Sequence, residues 1–239
     1  MQKAVFVDAE TRGFKKPLMP VSLATIEMQG DIVEHEWGNA NHSFFHCPPE
    51  AMELGALATH HILPSTLEGY PRWEDEGPNI ASYLADKQWL IGHKVDFDWE
   101  VIGKPDIKRI CTLAMARQLY PDLDAHRLGA MAYHLFGFTE DVRGWLQNAH
   151  SAIHDATMCR NIFLDMCRRG GIETLEQAHA VSEQGRIPKR MSFGKYGPKD
   201  GEKGMLIRDI VKKDPSYVSW LLNKADNVDE YLRRALKTA

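Results

Sequence analysis

Residues 4–13 read AVFVDAETRG, a β-branched and aromatic run that ends in two acids. Val5 to Val7 has the composition of a strand. Side chains alternate along a strand, so Asp8 and Glu10, two positions apart, project from the same face. Two like charges that close repel, and withdrawing either from water adds to the cost. A cation must therefore lie between them. It is either a Lys or Arg from elsewhere in the chain or a metal ion.

The chain has 239 residues, 44% hydrophobic and 26% charged, a balance suited to a globular protein. Its length fits one domain of moderate size with an appendage. No apolar run approaches the roughly 18 residues of a membrane-spanning helix, so no membrane partner is expected. The opening MQKAVFVDAE lacks the apolar core and cleavage site of a signal peptide and is read as part of the fold. Cys47, Cys111, Cys159 and Cys167 are scattered, with no CxxC pair. Neither a disulfide framework nor a zinc site is expected, and a reducing cytoplasm is the expected location. The net charge of −4 argues against a protein permanently coated with nucleic acid, but the charge is uneven. Between Lys189 and Lys213 eight Lys or Arg stand against three acids. A polyanion would meet a basic tail on an acidic body.

Along the chain, ETRGFKKPLMP (10–20) reads as a loop, VSLATIEM (21–28) as a second strand, and IVEHEWGN (32–39) as its hairpin return. PPEAMELGALATHHI (48–62) has helical spacing, NIASYLADK (79–87) is another helix, and QWLIGH (88–93) is a short buried strand. ICTLAMARQLYP (110–121) and HRLGAMAYHLFG (126–137) read as two further helices. HDATMCRNIFLDMCRRGG (154–171) is a long amphipathic helix closed by glycine. The order predicts an α/β layered domain with a mixed sheet flanked by helices. We place its boundaries at 1–171, with a linker helix over 172–190 that opens on a Thr174–Gln177 capping box. A small basic C-terminal module over 191–239 follows. It is expected to contain one or two strands and two short helices around Asp214-Pro215, to hold little core of its own, and to dock on the main domain.

Two further stretches join the opening one. In IGHKVDFD (91–98) a buried strand runs into a helix that carries Asp98. In HSAIHDA (150–156) Asp155 falls in the first turn of the long helix, where the dipole favours an anion, and His150 precedes that turn. Oxygen ligands without cysteine select Mg²⁺ or Mn²⁺. Two such ions can clamp the attacking and leaving oxygens of a phosphodiester, and a histidine titrating near neutrality is the natural base for water.

Asp8-Ala9-Glu10, GHKVDFD, and His150 with Asp155 resemble the three motifs of the DEDDh exonucleases of the DnaQ-like superfamily. The helix pair TLAMARQLYPDLDAHRLGAMAYHL is similar to that of bacterial replicative proofreading subunits. The tail SFGKYGPKDGEKG…IRDIVKKDPSYVSWLL is similar to the C-terminal module of the exodeoxyribonuclease X family. The resemblance runs from Val5 to Leu222 and implies an RNase H-like core and 3′→5′ hydrolysis of nucleic acid. It implies two Mg²⁺ or Mn²⁺ ions on Asp8, Glu10, Asp98 and Asp155, with Asp8 between the ions, and His150 as general base. It places His60 near the terminal nucleotide and Thr11 and Arg12 along the 3′-nucleotide pocket. DNA 3′ ends, single- or double-stranded, are the implied partner, with RNA as the alternative substrate. The motif departs at Lys94, where the family carries Asn.

Simpler readings stand beside these. Asp96 is a helix cap or surface acid, Phe97 is core, and His154 lies on a helix face. His93 is structural, and His61, His126 and His134 belong to surface or satisfied core. Trp99 and Trp145 flank the motifs and are candidates for base stacking. Lys195, Lys199 and Lys203, with Arg208, are candidate phosphate ligands or simply a solvated basic face. A non-catalytic protein that binds nucleic-acid ends is the alternative outside enzymes; the intact acids and His150 oppose it.

Overall fold

Strand β1 (Lys3–Thr11) lies in the middle of a five-stranded sheet and carries the acids that opened the sequence. It pairs antiparallel with β2 (Pro20–Gly30), which pairs antiparallel with β3 (His35–Phe44). On its other side it runs parallel to β4 (Trp89–Gly92), itself parallel to β5 (Lys108–Cys111). The order is β3-β2-β1-β4-β5, the mixed sheet expected. The computed structural model describes every residue except Asn148, Asp200 and Asn227.

Both faces of β1 are buried, and the period of two sorts them. Ala4 and Phe6 join a cluster with Ile26, Met28 and Ile91 that packs against the long helix α7 (Ala152–Gly170). Phe6 meets Phe163 of that helix edge-on, with ring centroids 5.5 Å apart. Val5, Val7 and Ala9 face the opposite way, into a cluster with Leu23, Leu90, Val95 and Val101. Asp8 and Glu10 therefore continue the face that α7 covers.

The helices follow in the order α1 (Leu54–His60), α2 (Trp73–Leu84), α3 (Asp96–Val101), α4 (Thr112–Leu119), α5 (Leu128–Phe136), α6 (Glu140–Leu146) and α7 (Ala152–Gly170). Helix α7 buries Asp155, Cys159, Ile162, Phe163 and Met166, the spacing of one helical face. It ends at Gly171, whose φ of +62° suits glycine at a helix terminus. Helix α8 (Leu175–Arg186) opens on the expected capping box: Gln177 N donates to Thr174 Oγ1 at 3.2 Å, and Thr174 N donates to Gln177 Oε1 at 3.1 Å.

Several expectations are corrected. The loop expected over 10–20 does not begin at Glu10, because Glu10 pairs with Ser22 and Thr11 with Pro20 of β2. Strand β3 begins at His35, since Ile32 is drawn into the core and Asp31 closes the turn, its Oδ1 accepting from Ile32 N at 2.9 Å. The helix expected over 48–62 is broken into a 3-10 turn and α1, because Glu53 N reaches back to Arg12 O at 2.8 Å. Residues 110–111 finish β5 instead of opening a helix. Helix α6, capped by Thr139, was not anticipated.

By density of internal packing the chain divides into two units, Met1–Ser182 and Glu183–Ala239. The second has its own core, contrary to expectation, built from Met191, Ile207, Ile210, Leu221, Val228, Leu232 and Leu236. It comprises α9 (Ile207–Lys213), α10 (Pro215–Lys224) and α11 (Glu230–Thr238), the last not anticipated. In place of the expected strands it shows, among the described residues, only isolated bridges between Arg190 and Leu206 and between Lys199 and Glu202.

The Phe6–Phe163 contact makes a direct test of the packing that fixes α7 on the sheet. Phe163→Ala is expected to lower the unfolding free energy by about 3–5 kcal/mol, read by chemical denaturation.

Candidate active site

Four carboxylates reach one cleft from three elements. Strand β1 supplies Asp8 and Glu10, α3 supplies Asp98, and the first turn of α7 supplies Asp155. The cleft has a volume of about 340 Å³, and Thr11, His60, Lys94 and His150 also line it. Asp98 is tied to β1 directly, its Oδ1 accepting from Ala9 N at 3.0 Å. Asp155 Oδ2 accepts from His150 N at 3.1 Å, so the histidine backbone is fixed by the acid five residues on. His150 adopts φ +67°, a left-handed conformation that costs a non-glycine residue about 1–2 kcal/mol. The hydrogen bond to Asp155 holds it there.

Every acid of the group is pushed toward its protonated form. Burial raises the Asp8 carboxyl well above the usual range, with Asp98, Asp155 and Glu10 adding repulsion. Glu10 is pushed from 4.5 up to about 8, by burial first and then by Asp155. Burial also raises Asp98, opposed by the Ala9 N–H. Asp155 is raised by burial against the His150 N–H.

Among the described residues no Lys or Arg forms an ion pair with any of the four. The basic residues nearby are committed elsewhere: Arg109 pairs with Asp96 at 2.5 Å, and Lys16 with Glu100 at 2.5 Å. Lys94 lines the cleft and weakly favours the charged form of Asp98, but bonds none of the acids. Of the two cations the sequence allowed, a salt-bridged Lys or Arg is therefore not found among the described residues.

The donor set suits a divalent ion. Asp155 Oδ1 is buried and has no hydrogen-bond donor. Ligand atoms of Glu10, His150 and Asp155 all lie within 4.8 Å of one another. An orphaned carboxylate oxygen beside a second carboxylate is what a metal would satisfy, with the His150 ring within reach of the same point.

The remaining expected residues are dispersed. Thr11 lines the cleft, but its hydroxyl donates to Gly13 O at 3.0 Å. Arg12 does not line it. A bulge between Glu10 and Thr11 breaks the alternation and turns Arg12 into a separate small cleft with His46 and Arg72. His60 lines the site with both ring nitrogens engaged: Nε2 donates to Thr11 O at 3.2 Å and Nδ1 accepts from Ile62 N at 2.9 Å. It can offer a substrate its ring face but no hydrogen bond.

His93 is held neutral, pushed down to about 4 by burial, with Nδ1 2.9 Å from Thr112 Oγ1. Trp99 is no free stacking platform, because Arg109 covers its ring at 4.1 Å and its Nε1 donates to Pro105 O at 2.8 Å. Trp145 packs edge-on against Phe136. Phe97, expected as core, lines the cleft, and so does Phe14, which sequence reasoning missed. Phe14 sits 6.0 Å from the Phe97 ring yet is 72% exposed. An aromatic in a polar loop just after the first motif was the signal for it.

In the second unit Lys195 is held by Asp214, with Nζ 2.6 Å from Oδ2, where Tyr196 Oη also donates at 2.9 Å. Its ammonium supports the start of α10, which Asp214 caps. Lys199 and Lys203 are exposed.

Residues 5–163 match the RNase_T exonuclease family. Exodeoxyribonuclease 10 of Escherichia coli K12 is 24% identical over 231 residues, covering 97% of this chain and 96% of that protein. The DNA polymerase III epsilon subunit of Aquifex aeolicus is 24% identical over 202 residues, 80% of this chain and 91% of that one. Among solved structures, exonuclease X in complex with 5′-overhanging duplex DNA superposes with a TM-score of 0.57 at 21% identity, covering 76% of this chain and 99% of that one. Exonuclease I of E. coli with a dT13 oligonucleotide gives a TM-score of 0.58 at 18% identity, over 72% of this chain and 42% of the other. These likenesses support the RNase H-like fold. With two thirds of its length matched and the acids of all three motifs gathered in one cleft, the chain belongs to the exonuclease family, hydrolases of nucleic-acid phosphodiester bonds.

Proposed function

We propose that the chain is a 3′→5′ exodeoxyribonuclease that depends on two Mg²⁺ or Mn²⁺ ions and releases nucleoside 5′-monophosphates. The observation that carries the reading is the convergence of four carboxylates, all pushed toward protonation, in one cleft where no Lys or Arg among the described residues pairs with them. Asp8, Glu10 and Asp155 would hold one ion, and Asp8 with Asp98 the other. Bound there, a divalent cation supplies Lewis-acid polarisation of the phosphate and eases deprotonation of water.

The protein does the rest. Asp155 orients the His150 backbone, and the His150 ring accepts the proton of the attacking water. Thr11, His60, Phe14 and Phe97 enclose the terminal nucleoside. DNA is preferred over RNA because the exodeoxyribonuclease relative spans nearly the whole chain. The cytoplasm, where nucleic-acid ends are produced, is the proposed location; no described helix is long and apolar enough to cross a membrane.

The assignment is tested with 3′- and 5′-labelled DNA and RNA of one sequence, single- and double-stranded, in Mg²⁺, Mn²⁺ or EDTA. Metal-dependent shortening from the 3′ end, faster on DNA, is expected; a 5′ ladder or end binding without cleavage would overturn the reading. His150→Ala should lower kcat by about 10²–10⁴ with little change in metal affinity.

Stability gives a second test. In the fold Glu10 keeps its proton to about pH 8, whereas its ordinary value is 4.5. Between those values the folded chain binds more protons than the unfolded one, so metal-free stability falls as pH rises. Melting in EDTA should show Tm dropping from pH 5 to 8. Added Mn²⁺ should restore stability most at the upper end, by about 2.7 kcal/mol at a hundred times its Kd. In Asp8→Ala the pH slope and the metal response should both shrink.

The second unit carries thirteen Lys and Arg against eight Asp and Glu, although the whole chain is at −4. Lys199→Gln with Lys203→Gln is expected to weaken DNA binding in EDTA. The slope of log K against log salt should fall by about 1 for each phosphate that is no longer neutralised.

A further inference from the structure

A second cavity, of about 620 Å³, shares His150 and Asp155 with the carboxylate cleft and no other lining residue. The two cavities meet at the residues that flank the hydrolysed bond. The second is lined by α5, the segment that leads into it, and Phe138. Arg127 stands at its edge, exposed and in no ion pair among the described residues. The rings of Tyr133, His134 and Phe138 line it, and Leu128 and Leu146 supply apolar wall. Phe138 is 92% exposed, a large apolar surface that the fold itself leaves unused. Its ring lies 5.9 Å from that of Tyr133, at 34° to it.

A phosphodiester bond joins two nucleosides. When its phosphorus lies at the carboxylates and His150, one nucleoside must lie on each side. The terminal side is a single nucleoside long, whereas the other continues as a strand. The 340 Å³ cleft that holds the acids fits the first requirement, and the larger cavity fits the second. Exposed aromatic rings stack bases with little regard to sequence, and an arginine beside them meets the backbone phosphate.

We propose that this second cavity binds the penultimate nucleoside of the DNA strand, with the Phe138 ring as its stacking surface and Arg127 on the next phosphate. The inference rests on the exonuclease reading and extends it to a site on α5 and Phe138 that lies outside the three motifs.

The test compares two substrates on the full chain. Thymidine 5′-(4-nitrophenyl phosphate) has a nucleoside on one side of its phosphorus only; a single-stranded 12-mer has one on both. For Phe138→Ala the ratio of kcat/KM on the 12-mer to that on the ester is expected to fall about tenfold or more. Arg127→Gln is expected to lower the same ratio, chiefly through KM, with the deficit shrinking as salt rises. Phe138 is solvent-exposed, so its truncation should leave the melting profile intact, which circular dichroism checks. A wild-type ratio in both variants overturns the inference while the exonuclease reading stands. Equal losses on both substrates also overturn it, because the residues would then act on the shared cleft. If the wild type hydrolyses neither substrate, the exonuclease reading falls and the inference falls with it.

Discussion

Uncompensated negative charge organises the first unit. Asp8, Glu10, Asp98 and Asp155 are gathered where burial raises all four and repulsion adds to the rise of Asp8, Glu10 and Asp98, and no Lys or Arg among the described residues is ion-paired with any of them. In isolation this arrangement opposes folding, since each ionised carboxylate would be stabler in water. It becomes favourable once divalent cations enter, because the same repulsion that raises the acids is what attracts the ions. The metal-free fold keeps some of its protons as placeholders.

The scaffold tolerates that charge because its geometry is held elsewhere. Strand β1 is paired on both sides, antiparallel to β2 and parallel to β4, so Asp8 and Glu10 cannot swing apart without breaking the sheet. Helix α7 is fixed over the same face by Phe163, Ile162 and Met166, which places Asp155 opposite the strand. Helix α3 is tied to the strand by the bond from Ala9 N to Asp98. The cost of the site is borne by hydrophobic clusters on both faces of the sheet, and His150 adds backbone strain held by one hydrogen bond to Asp155.

Much of this was legible in the sequence. Alternation in a strand put Asp8 and Glu10 on one face, helical spacing put Asp155 in a first turn, and Thr174 with Gln177 announced the start of α8. What escaped was whatever tertiary contact decides. The run KRIC is a strand only because β4 lies alongside it. Arg12 leaves the cleft because of a bulge that no local pattern marks. His60 reaches the cleft but spends both nitrogens on backbone partners, one of them a strand carbonyl 49 positions away in sequence. Trp99 stands beside a motif yet is covered by Arg109, and Lys195 serves Asp214. The Phe138 cavity depends on how α5 and α7 meet, which sequence spacing does not encode.

The most direct measurement of the central claim is calorimetric titration of Mn²⁺ into the metal-free protein at pH 7, repeated in two buffers of different ionisation enthalpy. Carboxylates that keep protons near neutrality must release them when metal binds. The predicted result is saturable binding with net proton release, both lost in Asp8→Ala. Binding without proton release, or no binding above the level of that variant, would contradict the account.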